Sequence, residues 1–162
     1  MKTLKPDCVF DGIEYIDFDF LREHNLKGIL LDIDNTLIDM SKILEQPIID
    51  WVNDAKNQGF KVAILSNSNK LNKIIPISQA LGIDYISFAK KPAKSGYLKA
   101  AKLLNLPVEN ICMIGDQVLT DVWGANKVNM FSIYVKPINK KEYWYTAWKR
   151  PIESMILKHF GF

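Results

Sequence analysis

The chain is short of the residues that build thiolate and imidazole metal sites. Two cysteines, Cys8 and Cys112, and two histidines, His24 and His159, are scattered over 162 residues. None has a Cys or His neighbour at zinc-ligand spacing. Cys112 lies inside the apolar run ICMIG and reads as a small core side chain rather than half of a disulfide. Long apolar stretches are missing too. No run approaches the roughly 20 residues that cross a bilayer, and the opening MKTLKPDCVF has no apolar centre of the kind a secretory leader carries. The expectation from these absences is a cytoplasmic protein. Internal repeats and low-complexity segments are absent as well.

What is present fits one globular domain over residues 1–162: 48% hydrophobic and 24% charged residues are enough to bury a sizeable core. The net charge of +3 is unevenly spread. The first 50 residues are acidic. From Lys127 onward the chain turns basic, through Lys136, Lys140, Lys141, Lys149, Arg150 and Lys158 against Glu142 and Glu153. A basic, aromatic segment at about 136–162 suits either an acidic partner, such as an anionic membrane or nucleic acid, or a solvated basic helix.

Short apolar runs recur, in GILLDI, KVAILSN, DYISF, NICMIGD and MFSIYV, with helical patterns between them. That alternation predicts βαβ units and a parallel sheet, hence an α/β fold. In ILEQPIIDWVNDAKNQG, the apolar positions Leu44, Ile48, Ile49, Trp51, Val52 and Ala55 predict a helix stopped by Gly59. The segment NKLNKIIPISQALG predicts another, kinked or shortened at Pro76.

The stretch GILLDIDNTLID places Asp32 and Asp34 just beyond an apolar run, and carboxylates at i and i+2 of an extended backbone repel on one side. Asp116 ends the fourth run, Ser66 and Asn67 end the second, and Lys91 follows the third. The carboxyl edge of an open α/β sheet is where ligands bind, so these distant residues predict one site. Converging carboxylates without a Cys/His cluster favour a hard divalent cation, Mg²⁺. The Lys91 ammonium and Ser66 hydroxyl suit phosphate oxygens. Taken singly, each residue also fits a turn, cap or solvated loop.

DIDNTL, LSN with Ser66, KKP with Lys91 and GDQVLTD with Asp116 and Asp121 resemble, in order, the four signatures of the haloacid dehalogenase superfamily. More narrowly, DNTL, SNSN, KKP, GDQVLTDVWGAN and a late Arg-Pro-Ile-Glu segment are similar to the YqeG family of subclass IIIA phosphatases, relatives of the phosphatidylglycerophosphate phosphatases. The resemblance implies a Rossmann-like fold, a parallel five-stranded sheet in order 5-4-1-2-3 with helices on both faces. It also implies a Mg²⁺-dependent phosphomonoesterase working through an aspartyl phosphate. Asp32 would be the nucleophile and Asp34 the acid and then the base. Asp32, the main-chain carbonyl of Asp34 and Asp116 would hold the metal. Ser66 would bind the phosphoryl group, helped by main-chain amides near Asn35, Thr36 and Asn67, and Lys91 would neutralise its charge. Asp121 would orient Lys91 or support the metal from behind its direct ligands.

The spacing leaves no room for a large cap domain: one helix and one strand fit between Asp34 and Ser66, and again between Ser66 and Lys91. An open site implies a large phosphomonoester substrate, with phosphatidylglycerophosphate suggested by the relatives and a soluble phosphorylated metabolite as the alternative. A receiver-like or other non-catalytic binding module is a further alternative, disfavoured because no aspartate follows the third run where a receiver would carry one. Nucleic acid is not expected as a partner. In YWYTAWKRPIESMILKHFGF, the aromatics Tyr143, Trp144, Tyr145 and Trp148 beside Lys149 and Arg150 have a membrane-interface composition. Ile152, Met155, Ile156 and Phe160 make an apolar face that serves equally to pack on the core or to touch a membrane.

Overall fold

The five apolar runs all become strands, and a sixth joins them. In the computed structural model, which describes residues 4–139 and 147–162, the strands are β1 (Cys8–Phe10), β2 (Gly28–Leu31), β3 (Lys61–Leu65), β4 (Asp84–Ile86), β5 (Ile111–Gly115) and β6 (Phe131–Val135). They form one parallel sheet in the order β1-β6-β5-β2-β3-β4. The expected five-stranded order is its continuous core. The correction is β1, which pairs Cys8 with Ile133 and Phe10 with Val135 at the sheet edge. Three half-buried residues among acidic neighbours carry too little periodicity to announce a strand.

Because successive strand residues face opposite sides, the sheet divides the core in two. On one face Ile29, Leu31, Ile64, Cys112 and Ile114 pack with α1 (Phe18–Glu23), α2 (Gln46–Asn57) and α3 (Leu71–Leu81). On the other, Leu30, Ala63, Leu65 and Met113 meet α4 (Lys94–Leu104) and α5 (Trp123–Lys127). Helix α2 buries Ile48, Trp51, Val52 and Ala55 as its spacing requires, and Gly59 follows it at φ 90°. Pro76 does not shorten α3. Its missing N–H forfeits the bond to the carbonyl of Asn72, an exposed residue that water can serve.

The last helix, α6 (Lys149–His159), lies across the carboxyl edge. Ile156 and Leu157 pack on Val118, Val122 and Tyr134, while Ile152 and Met155 are exposed. The expected apolar face is therefore split: Ile156 joins the core and Met155 points outward. No domain is inserted between Asp34 and Ser66 or between Ser66 and Lys91. Among the described residues, no helix is long and apolar enough to cross a membrane.

Candidate active site

Parallel strands β2, β3 and β5 end within one residue of one another, so the residues just past them meet. Asp32 follows β2, Ser66 follows β3 and Asp116 follows β5, all buried. Lys91, from the loop after β4, reaches inward and donates from Nζ to Asp32 Oδ1 (2.8 Å), Asp121 Oδ1 (2.7 Å) and the Leu65 carbonyl (2.8 Å). Three acceptors satisfy its three N–H groups, which is what a buried ammonium requires.

Asp121 is placed by the turn after β5. Val118–Val122 form one π-helical turn, and Asp121 Oδ2 accepts from the Gln117 amide at 3.2 Å. Gly115 makes this possible, because a Cβ there would overlap the Asp121 carboxylate. Behind it, the buried Tyr97 hydroxyl donates to the Thr120 carbonyl at 2.7 Å, and Gly124 leaves room for the Tyr97 ring. Sequence reasoning had no route to Tyr97, whose contact crosses from α4 to this turn.

One carboxylate oxygen from each of Asp32, Asp116 and Asp121 falls within a 4.8 Å cluster. Among the described residues, the cations bonded to these three carboxylates are Lys91 and Arg150, so the fully ionised group keeps one negative charge in excess. Oxygen-only donors with residual negative charge fit a hard divalent cation. Burial drives the Asp32 carboxyl up to about 7, against the pull of Lys91, with Asp121 and Asp34 adding to the rise. Burial likewise pushes Asp116 well above the usual carboxylate range, reinforced by Asp32 and opposed by Arg150. For Lys91, burial works to lower the pKa, but Asp121 and Asp32 outweigh it and hold the amine above its ordinary value.

The remaining expected residues are close by. Thr36 donates its hydroxyl to Asp116 Oδ1 at 3.3 Å. The Asn67 side chain clamps the Lys91 backbone, donating to its carbonyl (3.0 Å) and accepting from its amide (2.6 Å). Ser66 Oγ accepts from the Ser68 amide at 3.1 Å. The main-chain amides of Asn35 and Thr36 donate within their own loop to Ile38 O (2.6 Å) and Ile33 O (3.2 Å). That loop turns at Asn35, whose φ is 59°.

Three functional neighbours escaped the sequence reading. Lys73, in the first turn of α3, donates to both oxygens of Asp34 at 2.8 and 2.9 Å. Its place was a usable signal, since the first turn of a helix after a strand overhangs the carboxyl edge of the sheet. Arg150 and Glu153 come from α6. Arg150 donates to the Asp116 carboxylate and to its main-chain carbonyl, and Glu153 accepts from Arg150 at 3.1 Å. The sequence sets Arg150 beside aromatics of membrane-interface composition; the structure turns it inward to Asp116.

Asp32, Asp34, Asn35, Ser66, Asn67 and Lys91 line a cleft of about 850 Å³ that opens to solvent. A family model for haloacid dehalogenase-like hydrolases matches residues 46–129, which contain Ser66, Lys91, Asp116 and Asp121. The chain belongs to this hydrolase family. Asp32 and Asp34 are covered by a longer match, 36% identical over 157 residues, to the probable phosphatase YqeG of Bacillus subtilis (strain 168), spanning 96% of this chain and 91% of that one. This hydrolase is also 26% identical over 168 residues to phosphatidylglycerophosphate phosphatase 1, chloroplastic, of Chlamydomonas reinhardtii, covering 88% of this chain and 61% of that relative. A haloacid dehalogenase phosphatase from Thermococcus onnurineus shares the fold, with TM-score 0.59 and 14% identity over 78% of this chain and 98% of that one. Within the family, this hydrolase is a phosphatase of the YqeG type.

Proposed function

We propose that this phosphatase hydrolyses phosphomonoesters with Asp32 as nucleophile, Mg²⁺ as its metal, and a phosphorylated lipid of the phosphatidylglycerophosphate type as substrate. The observation that carries the reading is Lys91, held by Asp32 and Asp121 at the floor of an open cleft. Lys91 engages one Asp32 oxygen and leaves the other to attack phosphorus in line. The P–O bond to the alcohol breaks as the P–O bond to Asp32 forms. Asp34 gives its proton to the departing alkoxide, then takes one from the water that attacks the aspartyl phosphate and releases inorganic phosphate. Lys73 donates to both Asp34 oxygens from the neighbouring helix α3. Mg²⁺ held by Asp32, the Asp34 carbonyl and Asp116 would supply charge neutralisation for the phosphoryl oxygens.

Support for a lipid comes from the cleft mouth and from α6. Met40 and Phe88 line the cleft yet are 45% and 58% exposed, and Lys42, Lys70 and Lys149 line it with them. Trp148, Ile152 and Met155 form an exposed row at i, i+4 and i+7, next in the chain to and along the helix that begins with Lys149. The other expected membrane residues, Lys140, Lys141, Tyr143, Trp144 and Tyr145, lie outside the described residues. The test is phosphate release from phosphatidylglycerophosphate in vesicles and from a soluble alkyl phosphate, each with Mg²⁺ and with EDTA. Efficient Mg²⁺-dependent turnover of the lipid supports the proposal. Turnover of the soluble ester alone would move the substrate to a phosphorylated metabolite.

A further inference from the structure

Helix α6 is the last described element of the chain, yet it reaches the centre of the site. Arg150 donates from Nη2 to Asp116 Oδ2 and from Nη1 to both the Asp116 carbonyl and Glu153 Oε2. Glu153 is 1% exposed, and its other oxygen accepts from the Leu119 amide at 3.1 Å, in the turn that carries Asp121. Asp116 is fully buried, and its remaining oxygen accepts from Thr36. One cation thus fixes a carboxylate and its own backbone together, and a buried acid fixes that cation to the next turn.

We propose that Arg150 is a positioning residue for the metal ligand Asp116, with Glu153 as its anchor. The inference rests on the metal-site reading above. A planar fork can hold the carboxylate, the carbonyl and Glu153 at once, which a lysine ammonium on a flexible stem reproduces poorly. With Oδ2 committed to the guanidinium and Oδ1 to Thr36, Asp116 is oriented before any cation arrives. Without Arg150, the carboxylate turns about its own bond and the cation must order it. Groups that orient metal ligands in this way typically change affinity by about 10–100-fold.

The sign makes the test diagnostic. Removing a positive charge beside a cation site would by electrostatics alone tighten cation binding. Loss of orientation weakens it. Binding of Mn²⁺ to the full chain without substrate, followed by electron paramagnetic resonance, reads this directly. Arg150→Ala is expected to bind Mn²⁺ about 10–100-fold more weakly while keeping its far-ultraviolet circular dichroism, and added methylguanidinium restores affinity. Arg150→Lys, which keeps the charge and the stem, is expected to be weakened as well and decides the question if the alanine variant does not fold. Wild-type or tighter Mn²⁺ binding in folded Arg150→Ala, or wild-type binding in Arg150→Lys, would overturn the proposal. Asp116→Ala is the reference. If it binds Mn²⁺ normally, the metal-site reading itself fails; if it loses Mn²⁺ while Arg150→Ala and Arg150→Lys keep it, this inference alone does.

Discussion

Asp32 combines two demands that conflict in the metal-free protein: it must be ionised to attack phosphorus, and it is buried beside Asp121 and Asp34. Replacing it with Asn removes the charge and keeps an oxygen for Lys91. Asp32→Asn is therefore expected to lower phosphatase activity by several orders of magnitude while raising the melting temperature of the metal-free protein near neutral pH. A thermal melt in EDTA beside an activity assay checks both. The same group sets a pH dependence. Burial lifts its folded pKa to about 7, above the ordinary aspartate value of 3.8, so the folded chain binds the proton more tightly. Its contribution therefore favours folding below the unfolded pKa and declines as pH rises toward 7. Urea denaturation in EDTA at pH 5 and pH 8 is expected to show a loss for the wild type that is smaller in Asp32→Asn. Asp34 bears on the leaving group instead. Asp34→Asn is expected to impair alkyl phosphates much more than aryl phosphates with good leaving groups, and equal losses would give Asp34 a metal-positioning role only.

At the scale of elements, the turn after β5 carries the tightest constraint. A methyl at Gly115 would overlap the Asp121 carboxylate, which Lys91 needs as its partner. Gly115→Ala is expected to cost about 1–3 kcal/mol of stability, the usual range for overpacking, and to depress activity further by displacing Lys91. Chemical denaturation and turnover measured on the same sample separate the two effects. The legibility of these elements follows their physics. Strands buried on both faces were plain as apolar runs, and the signature residues at their ends could be placed on one edge from topology alone. Strand β1 was not legible, being three half-buried residues at the sheet edge. Nor were Lys73, Arg150 and Glu153, because their roles depend on helices laid across the edge and no local pattern records which neighbour a charged side chain will meet. Nor do apolar runs record how the loop after β2 closes on itself, with the Asn35 amide on the Ile38 carbonyl and the Thr36 amide on the Ile33 carbonyl.

Across the whole molecule, the basic end divides its labour. Helix α6 turns Arg150, Glu153, Ile156 and Leu157 inward, while Ile152 and Met155 of the helix and Trp148 just before it stay exposed. If the outward row meets lipid, each lysine that reaches an anionic surface adds about 1 kcal/mol, screened by salt. Trp148→Ala combined with Met155→Ala is expected to weaken sedimentation with anionic vesicles and to lower turnover of vesicle-borne lipid phosphate, leaving the melting temperature and the turnover of a soluble ester nearly unchanged. Unaltered sedimentation would leave the outward row without a part in lipid contact. Beneath the question of substrate stands the chemistry at Asp32, and trapping its intermediate tests that most directly. The wild-type protein is mixed with Mg²⁺ and a phosphomonoester, quenched in acid during turnover, digested and analysed by mass spectrometry. The account predicts a hydroxylamine-labile phosphoryl group on the peptide containing Asp32, absent in Asp32→Asn. A phosphoryl group on another residue, or undiminished turnover in Asp32→Asn, would contradict it.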